Sequence, residues 1–184
     1  MNLNWLFPIL TLCLTYSCAS AESEANEQEP FTVDFTTEHL DSNHFLIEFT
    51  IRLDSSNYYV SPHSSGHHQR LQFSLFPSRN FKLIEPLKEN PIAQYSFDQI
   101  SEKSGHFVYE TTHFSQELSI MSDSSFSTPG LIWIEMRPTC QPYEITFQLN
   151  YVDEQLYITD VQIKTSNYPN FEDNKRLDNL PEPN

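Results

Sequence analysis

LIWIEMRPTCQPYEITFQLNY, residues 131–151, decides how the rest of the chain is read. Leu131, Trp133 and Glu135 alternate with Ile132, Ile134 and Met136. Beyond a break, Tyr143, Ile145, Phe147, Leu149 and Tyr151 fall on one side of a second period-two repeat. Two strands joined at a corner are predicted. Pro138 and Pro142 lack the N–H that a ladder needs, so residues 137–142 are expected to be an exposed connection holding Cys140 between two rigid kinks.

The same period recurs upstream. Phe45, Ile47, Phe49, Ile51 and Leu53 put five large apolar side chains on one face, while Leu46, Glu48, Thr50 and Arg52 make the opposite face mostly polar. Residues 31–35 alternate as a candidate edge strand. Leu71, Phe73 and Leu75, a turn at residues 77–80 and the run 81–84 read as a hairpin. Residues 92–100 read as a short helical turn crossing between sheets, 106–110 and 114–120 as two more strands, and 121–128 as a Ser-rich loop ending in a turn at Pro129-Gly130. Val152-Asp153-Glu154-Gln155 is a hairpin turn. After it the alternation slips between Ile158 and Val161, as a bulge would make it. Short strands with turn signals between them and no sustained helical period predict one all-β antiparallel sandwich.

Composition agrees with a single core. The 184 residues include 14 Phe and 9 Tyr but only 3 Gly, and Gly66, Gly105 and Gly130 lie between apolar runs, where turns are expected. A net charge of −15 with 10 Lys plus Arg leaves no basic patch for phosphates, which argues against nucleic acid and anionic membrane surfaces as partners.

Cys140-Gln141-Pro142-Tyr143, set between two strands at the end of the domain, resembles the N-terminal periplasmic domain of the thiol:disulfide interchange protein DsbD family. There the segment reads as a cysteine, four other residues and Cys-Leu-Pro-Pro. Here Cys140 matches the second cysteine and Pro142 one proline, while Glu135 stands where the first cysteine is expected. Weaker likeness extends upstream through residues 45–53, the aromatic segment 57–61, residues 71–76, Phe81 to the Glu85-Pro86 pair, and residues 113–118. The resemblance implies an immunoglobulin-like sandwich that docks thioredoxin-like or other envelope proteins. It also implies that Tyr58 and Tyr59 belong to a loop capping the redox position, with Pro142 beside it. The alternative for the two tyrosines is ring packing on the sheet rim with the hydroxyls in water.

Residues 1–21 contain no charged side chain, and their apolar run is too short to span a bilayer, so they read as an export signal. Ala19-Ser20-Ala21 suits cleavage before Glu22. Residues 14–18 also fit a loose lipoprotein box in which Cys18 would carry lipid, the one membrane attachment expected. Both readings place the mature protein in the periplasm, soluble or lipid-anchored. Residues 22–30 then form an acidic linker, 31–164 the sandwich and 165–184 a disordered tail. Cys13 and Cys18 are removed or capped, so Cys140 is the single free thiol of the mature chain.

One thiol supports half of a redox cycle. A thiolate forms a mixed disulfide, but its resolution needs a second thiol. Arg137, three residues before Cys140, is placed to stabilise that thiolate. The expectation is a docking domain without complete enzymatic activity and without a cofactor. A binding module with no redox role is the alternative, and two features suggest it. Trp133 and the tyrosines could offer a platform for sugars, and His63, His67 and His68 could offer imidazoles to a metal, although a solvated loop accounts for those histidines as well. Glu135 and Glu144 flank the corner as solvent-facing strand residues.

Overall fold

The structure, a computed structural model, describes residues 29–54, 56–65 and 70–166. The predicted signal, nearly all of the acidic linker, Cys18, His67, His68 and nearly all of the expected tail lie outside the described residues.

The described residues are all β. One sheet has the order β1 (Phe31–Asp41), β2 (His44–Leu53), β8 (Thr112–Ile120), β5 (Phe81–Asn90), and every neighbour is antiparallel. The second runs β11 (Gln155–Thr165), β10 (Gln141–Val152), β9 (Phe126–Met136), β4 (Gln72–Leu75). A third, small sheet is β3 (Tyr59–Val60), β7 (Lys103–Val108), β6 (Gln94–Asp98). Taken in chain order, β1, β2, β4, β5, β8, β9 and β10 occupy the places of strands A to G in an immunoglobulin constant-type sandwich. Four strands lie in one sheet and three in the other, with β11 added at the edge. Between β5 and β8 the chain makes β6 and β7 of the small sheet.

The period-two face of β2 is the core. Phe45, Ile47, Phe49 and Ile51 are buried and meet Ile132, Ile134, Met136, Ile145, Phe147 and Leu149 of the facing sheet. Aromatic pairs cross the interface: Phe35 with Phe147 at 4.9 Å, Phe49 with Phe73 at 5.6 Å and Phe31 with Tyr143 at 5.3 Å between ring centres. Each such pair contributes about 0.5–1.5 kcal/mol beyond the area it buries.

Several expectations are corrected. Residues 71–84 do not form a hairpin, because β4 and β5 belong to different sheets and the turn at 77–80 carries the chain across the sandwich. Residues 92–100 are not helical, since Gln94–Asp98 pairs with β7 along its whole length and satisfies its backbone there. The loop expected over residues 121–128 ends at Ser125, and the expected turn at Pro129-Gly130 is strand. β9 begins at Phe126 and runs through both residues, with Pro129 just past the last β4 pair, Leu75 with Gly130. Gly130 is there because the Phe147 ring occupies the place a Cβ would take. Gly105 likewise lies inside β7 rather than in a turn. Two expectations hold. Asp153 and Glu154 both have positive φ, the geometry of a tight primed hairpin turn, and the β10–β11 register shifts opposite Asp160 and Val161 as a bulge.

Candidate functional site

The corner between β9 and β10 is tight. Met136 pairs with Gln141, leaving four residues, Arg137 to Cys140, to turn the chain, and the Arg137–Pro138 peptide is cis. Pro138 and Thr139 are exposed and Cys140 is half-buried, with φ of 56° in the left-handed region that a side chain with a Cβ disfavours by about 1–2 kcal/mol. The thiol is therefore held at the surface by a constrained backbone.

Arg137 is buried, against the expectation that the whole of 137–142 is exposed. Its backbone is clamped by a pair of bonds to Tyr58: the Arg137 N–H donates to Tyr58 O at 2.8 Å, and the Tyr58 N–H donates back to Arg137 O at 3.1 Å. Parity along β9 then sends its side chain to the same side as Trp133 and Glu135, away from Ile132, Ile134 and Met136. On that side the guanidinium reaches Glu135 Oε1 at 2.8 Å and Asp98 Oδ2 at 3.5 Å, and its Nη1 donates to Cys140 Sγ at 3.4 Å. Glu135 is only 1% exposed, so the expected solvent-facing carboxylate is instead one wall of a buried ionic cluster. Glu144 is half-buried and accepts the Ser166 hydroxyl at 2.7 Å.

Asp98, at the end of β6, forms the other wall. It accepts the Ser101 hydroxyl at 2.6 Å, the Tyr58 hydroxyl at 2.8 Å, and the N–H groups of Ile100 and Ser101 at 3.0 and 3.2 Å. Burial alone would push its carboxyl up, but these donors outweigh burial and hold it below the ordinary carboxylate range. Burial, then the hydrogen bond to Asp98 and its negative charge, push the Tyr58 phenol up to about 12. Tyr58 also stacks on Tyr109, ring centres 5.1 Å apart, and the Tyr109 hydroxyl lies 2.9 Å from Ser96 Oγ. A continuous run of contacts thus links the Cys140 turn, through Arg137 and Asp98, to the small sheet.

No family model matches this chain, and neither a curated protein nor a solved structure matches it. Among the described residues no helix is long and apolar enough to cross a membrane.

The expected site residues divide. Cys140 and Tyr58 are brought together through Arg137 and Asp98. Tyr59 is not: it is fully buried in the core, because adjacent strand residues point to opposite faces. Pro142 is also buried, as the second residue of β10 opposite Glu135, and its carbonyl accepts the Ser166 N–H at 2.9 Å, so it is no surface contact residue. It is tolerated in the strand because it stands at the strand's start. Trp133 is 4% exposed and offers no platform for a sugar. His63 is exposed, and among the described residues no three His, Cys, Asp or Glu side chains are grouped to hold a metal ion. Sequence reasoning missed Asp98. Its signal was local: Asp98-Gln99-Ile100-Ser101 is an Asx-turn sequence, a carboxylate capping its own following N–H groups.

Proposed function

We propose that this chain is an exported cell-envelope protein that docks thiol-disulfide exchange partners, as its resemblance to the N-terminal domain of the DsbD family implies, with Cys140 as half of a redox pair. The observation that carries the reading is the half-buried Sγ of Cys140 on a constrained turn, 3.4 Å from a buried guanidinium. That contact fixes the sulfur at the position where the resemblance puts the second cysteine of the redox pair. Exposed aromatics of the small sheet support docking: Tyr95 at 71% and Phe97 at 60% share one face of β6, and large apolar side chains set side by side in water mark interaction surfaces.

The step open to one thiol is exchange. The Cys140 thiolate attacks one sulfur of a partner's disulfide, a new intermolecular S–S bond forms, and the partner's other sulfur leaves as thiolate. No net oxidation occurs. The released thiolate can reverse the step, so the intermediate accumulates only when that second sulfur is absent.

The test uses a thioredoxin-like protein lacking its resolving cysteine, its remaining thiol activated as a mixed disulfide with a thionitrobenzoate leaving group. The expected result is a mixed-disulfide adduct, seen as the summed mass on a non-reducing gel and lost on adding reductant. Cys140→Ser should abolish the adduct while the same partner still shifts the amides of residues 95–97 and 109 in NMR titration. Absence of both adduct and amide shifts overturns the proposal.

A further inference from the structure

A second site lies on β5, apart from the chemistry above. β5 leaves the β8 ladder between Ile84 and Lys88, where Glu85 has a positive φ and the Gln116 side-chain amide donates to the freed carbonyls of Ile84 and Glu85 at 3.1 and 3.0 Å. Pairing resumes with Lys88 opposite Ser115, which sets Glu89 opposite Phe114. Beside this bulge is a cavity of about 460 Å³, whose wall is aliphatic at Pro86, Leu87, Ile92 and Ala93 and whose polar lining is Ser61, His63, Lys88, Glu89 and His106.

Glu89 is the unusual member. Its side chain belongs to a residue only 9% exposed. One carboxylate oxygen accepts the Ser61 hydroxyl at 2.8 Å, while the other, Oε1, is buried with no hydrogen bond among the described residues. Lys88 next to it is engaged by Glu85 at 2.6 Å, and among the described residues Glu89 makes no ion pair. Burial, and after it the charge of Glu89, push the Tyr59 phenol well above its ordinary range. Burial raises the Glu89 carboxyl too, against the Ser61 hydrogen bond, the imidazoles of His63 and His106 and the Ala93 N–H. Orphaned buried acceptors are rare because each costs about 1–3 kcal/mol. An Oε1 without a hydrogen bond, a carboxylate without an ion pair among the described residues and an aliphatic wall together point to a ligand with a donor cation on an apolar stem.

We propose that this cavity binds a primary alkylammonium group, its nitrogen on Glu89 Oε1 and its methylene chain against Leu87 and Ile92. The formal charge of −15 favours approach of such a ligand over an anion. The site neither requires nor uses Cys140.

The experiment titrates the mature protein with n-hexylamine, n-hexanol and hexanoate, following the amides of Ser61, Glu89, Ala93 and His106 by NMR. Hexylamine should saturate with a Kd on the order of 1 mM, and the alcohol and the acid should bind at least about tenfold more weakly. Glu89→Gln should weaken hexylamine about tenfold or more and leave hexanol unchanged. Ile92→Ala, a change at a side chain 81% exposed and so harmless to folding, should weaken both amine and alcohol. Nα-acetyl-lysine methylamide tells the sources apart. Binding as tight as hexylamine assigns the site to a lysine presented by a polypeptide, and weaker binding assigns it to a free amine. Equal affinity for hexylamine and hexanol, or full hexylamine affinity in Glu89→Gln, overturns the proposal. Cys140→Ser should not change any of these affinities, so failure here and failure of the docking reading are separately visible.

Discussion

Replacing Arg137 by Met removes one charge and keeps most of the side-chain volume, and the structure sets what that should do. At an effective dielectric constant near 20, the contacts at 2.8 Å to Glu135 and 3.5 Å to Asp98 correspond to gross attractions of about 6 and about 5 kcal/mol. Much of this is cancelled by desolvating three charges, and the two carboxylates repel one another. What the substitution exposes is the remainder: two buried carboxylates with their shared cation gone. Breaking a buried pair in this way destabilises by about 3–5 kcal/mol, a large part of the roughly 5–15 kcal/mol that holds a domain folded. Urea unfolding followed by tryptophan fluorescence at pH 7 should therefore show the midpoint falling with little change in slope. Protonating the carboxylates should relieve the defect, so the difference from the unsubstituted protein should shrink to less than about half by pH 4. A double change, Arg137→Met with Glu135→Leu, should recover part of the loss. A deficit under about 1 kcal/mol at pH 7, or one independent of pH, would refute the reasoning, because it would mean that the cluster is solvated or that Glu135 and Asp98 are neutral without the guanidinium.

Two further predictions test other parts of the fold. Gly130→Ala drives a methyl group into the Phe147 ring and should cost about 1–3 kcal/mol, lowering Tm by roughly 3–10 °C; an unchanged Tm would show that the ring moves aside freely. Glu89 has a folded-state carboxyl raised above its unfolded value, so its contribution to stability is fully present below the unfolded pKa and is lost as pH rises through the folded one. Glu89→Gln should match the unsubstituted protein near pH 4 and become the more stable of the two by pH 8, and parallel stability curves across that range would contradict the assignment.

How much of this was legible beforehand depended on the range of the interaction. The core face of β2, the strand character of residues 131–151 and the turn at Asp153-Glu154 are local in their causes: period-two alternation against water, and turn chemistry set by a few adjacent residues. The helical reading of residues 92–100 failed because a nine-residue window is ambiguous until a partner strand is present, and β7 supplies that partner. Gly130 was read as a turn because glycine is the usual turn residue, whereas the deciding contact is an aromatic ring 17 positions away in the chain. At the candidate site, Cys140 and Arg137 could be paired by eye across three residues. Asp98 could not, because it lies about forty residues upstream and reaches Arg137 only through the small sheet.

The amino-acid sequence by itself determined the class of the fold and which strand faces are apolar, since alternation against solvent acts residue by residue and needs no partner. It also determined that a single cysteine stands between two strands. Only the tertiary structure decided that Arg137 and Glu135 are inside rather than in water, that Tyr58 rather than Tyr59 meets the site, and that Glu89 lines a cavity. These are all matters of what covers a side chain, and burial is a property of the assembled sheets, set by contacts between segments that the chain order keeps far apart.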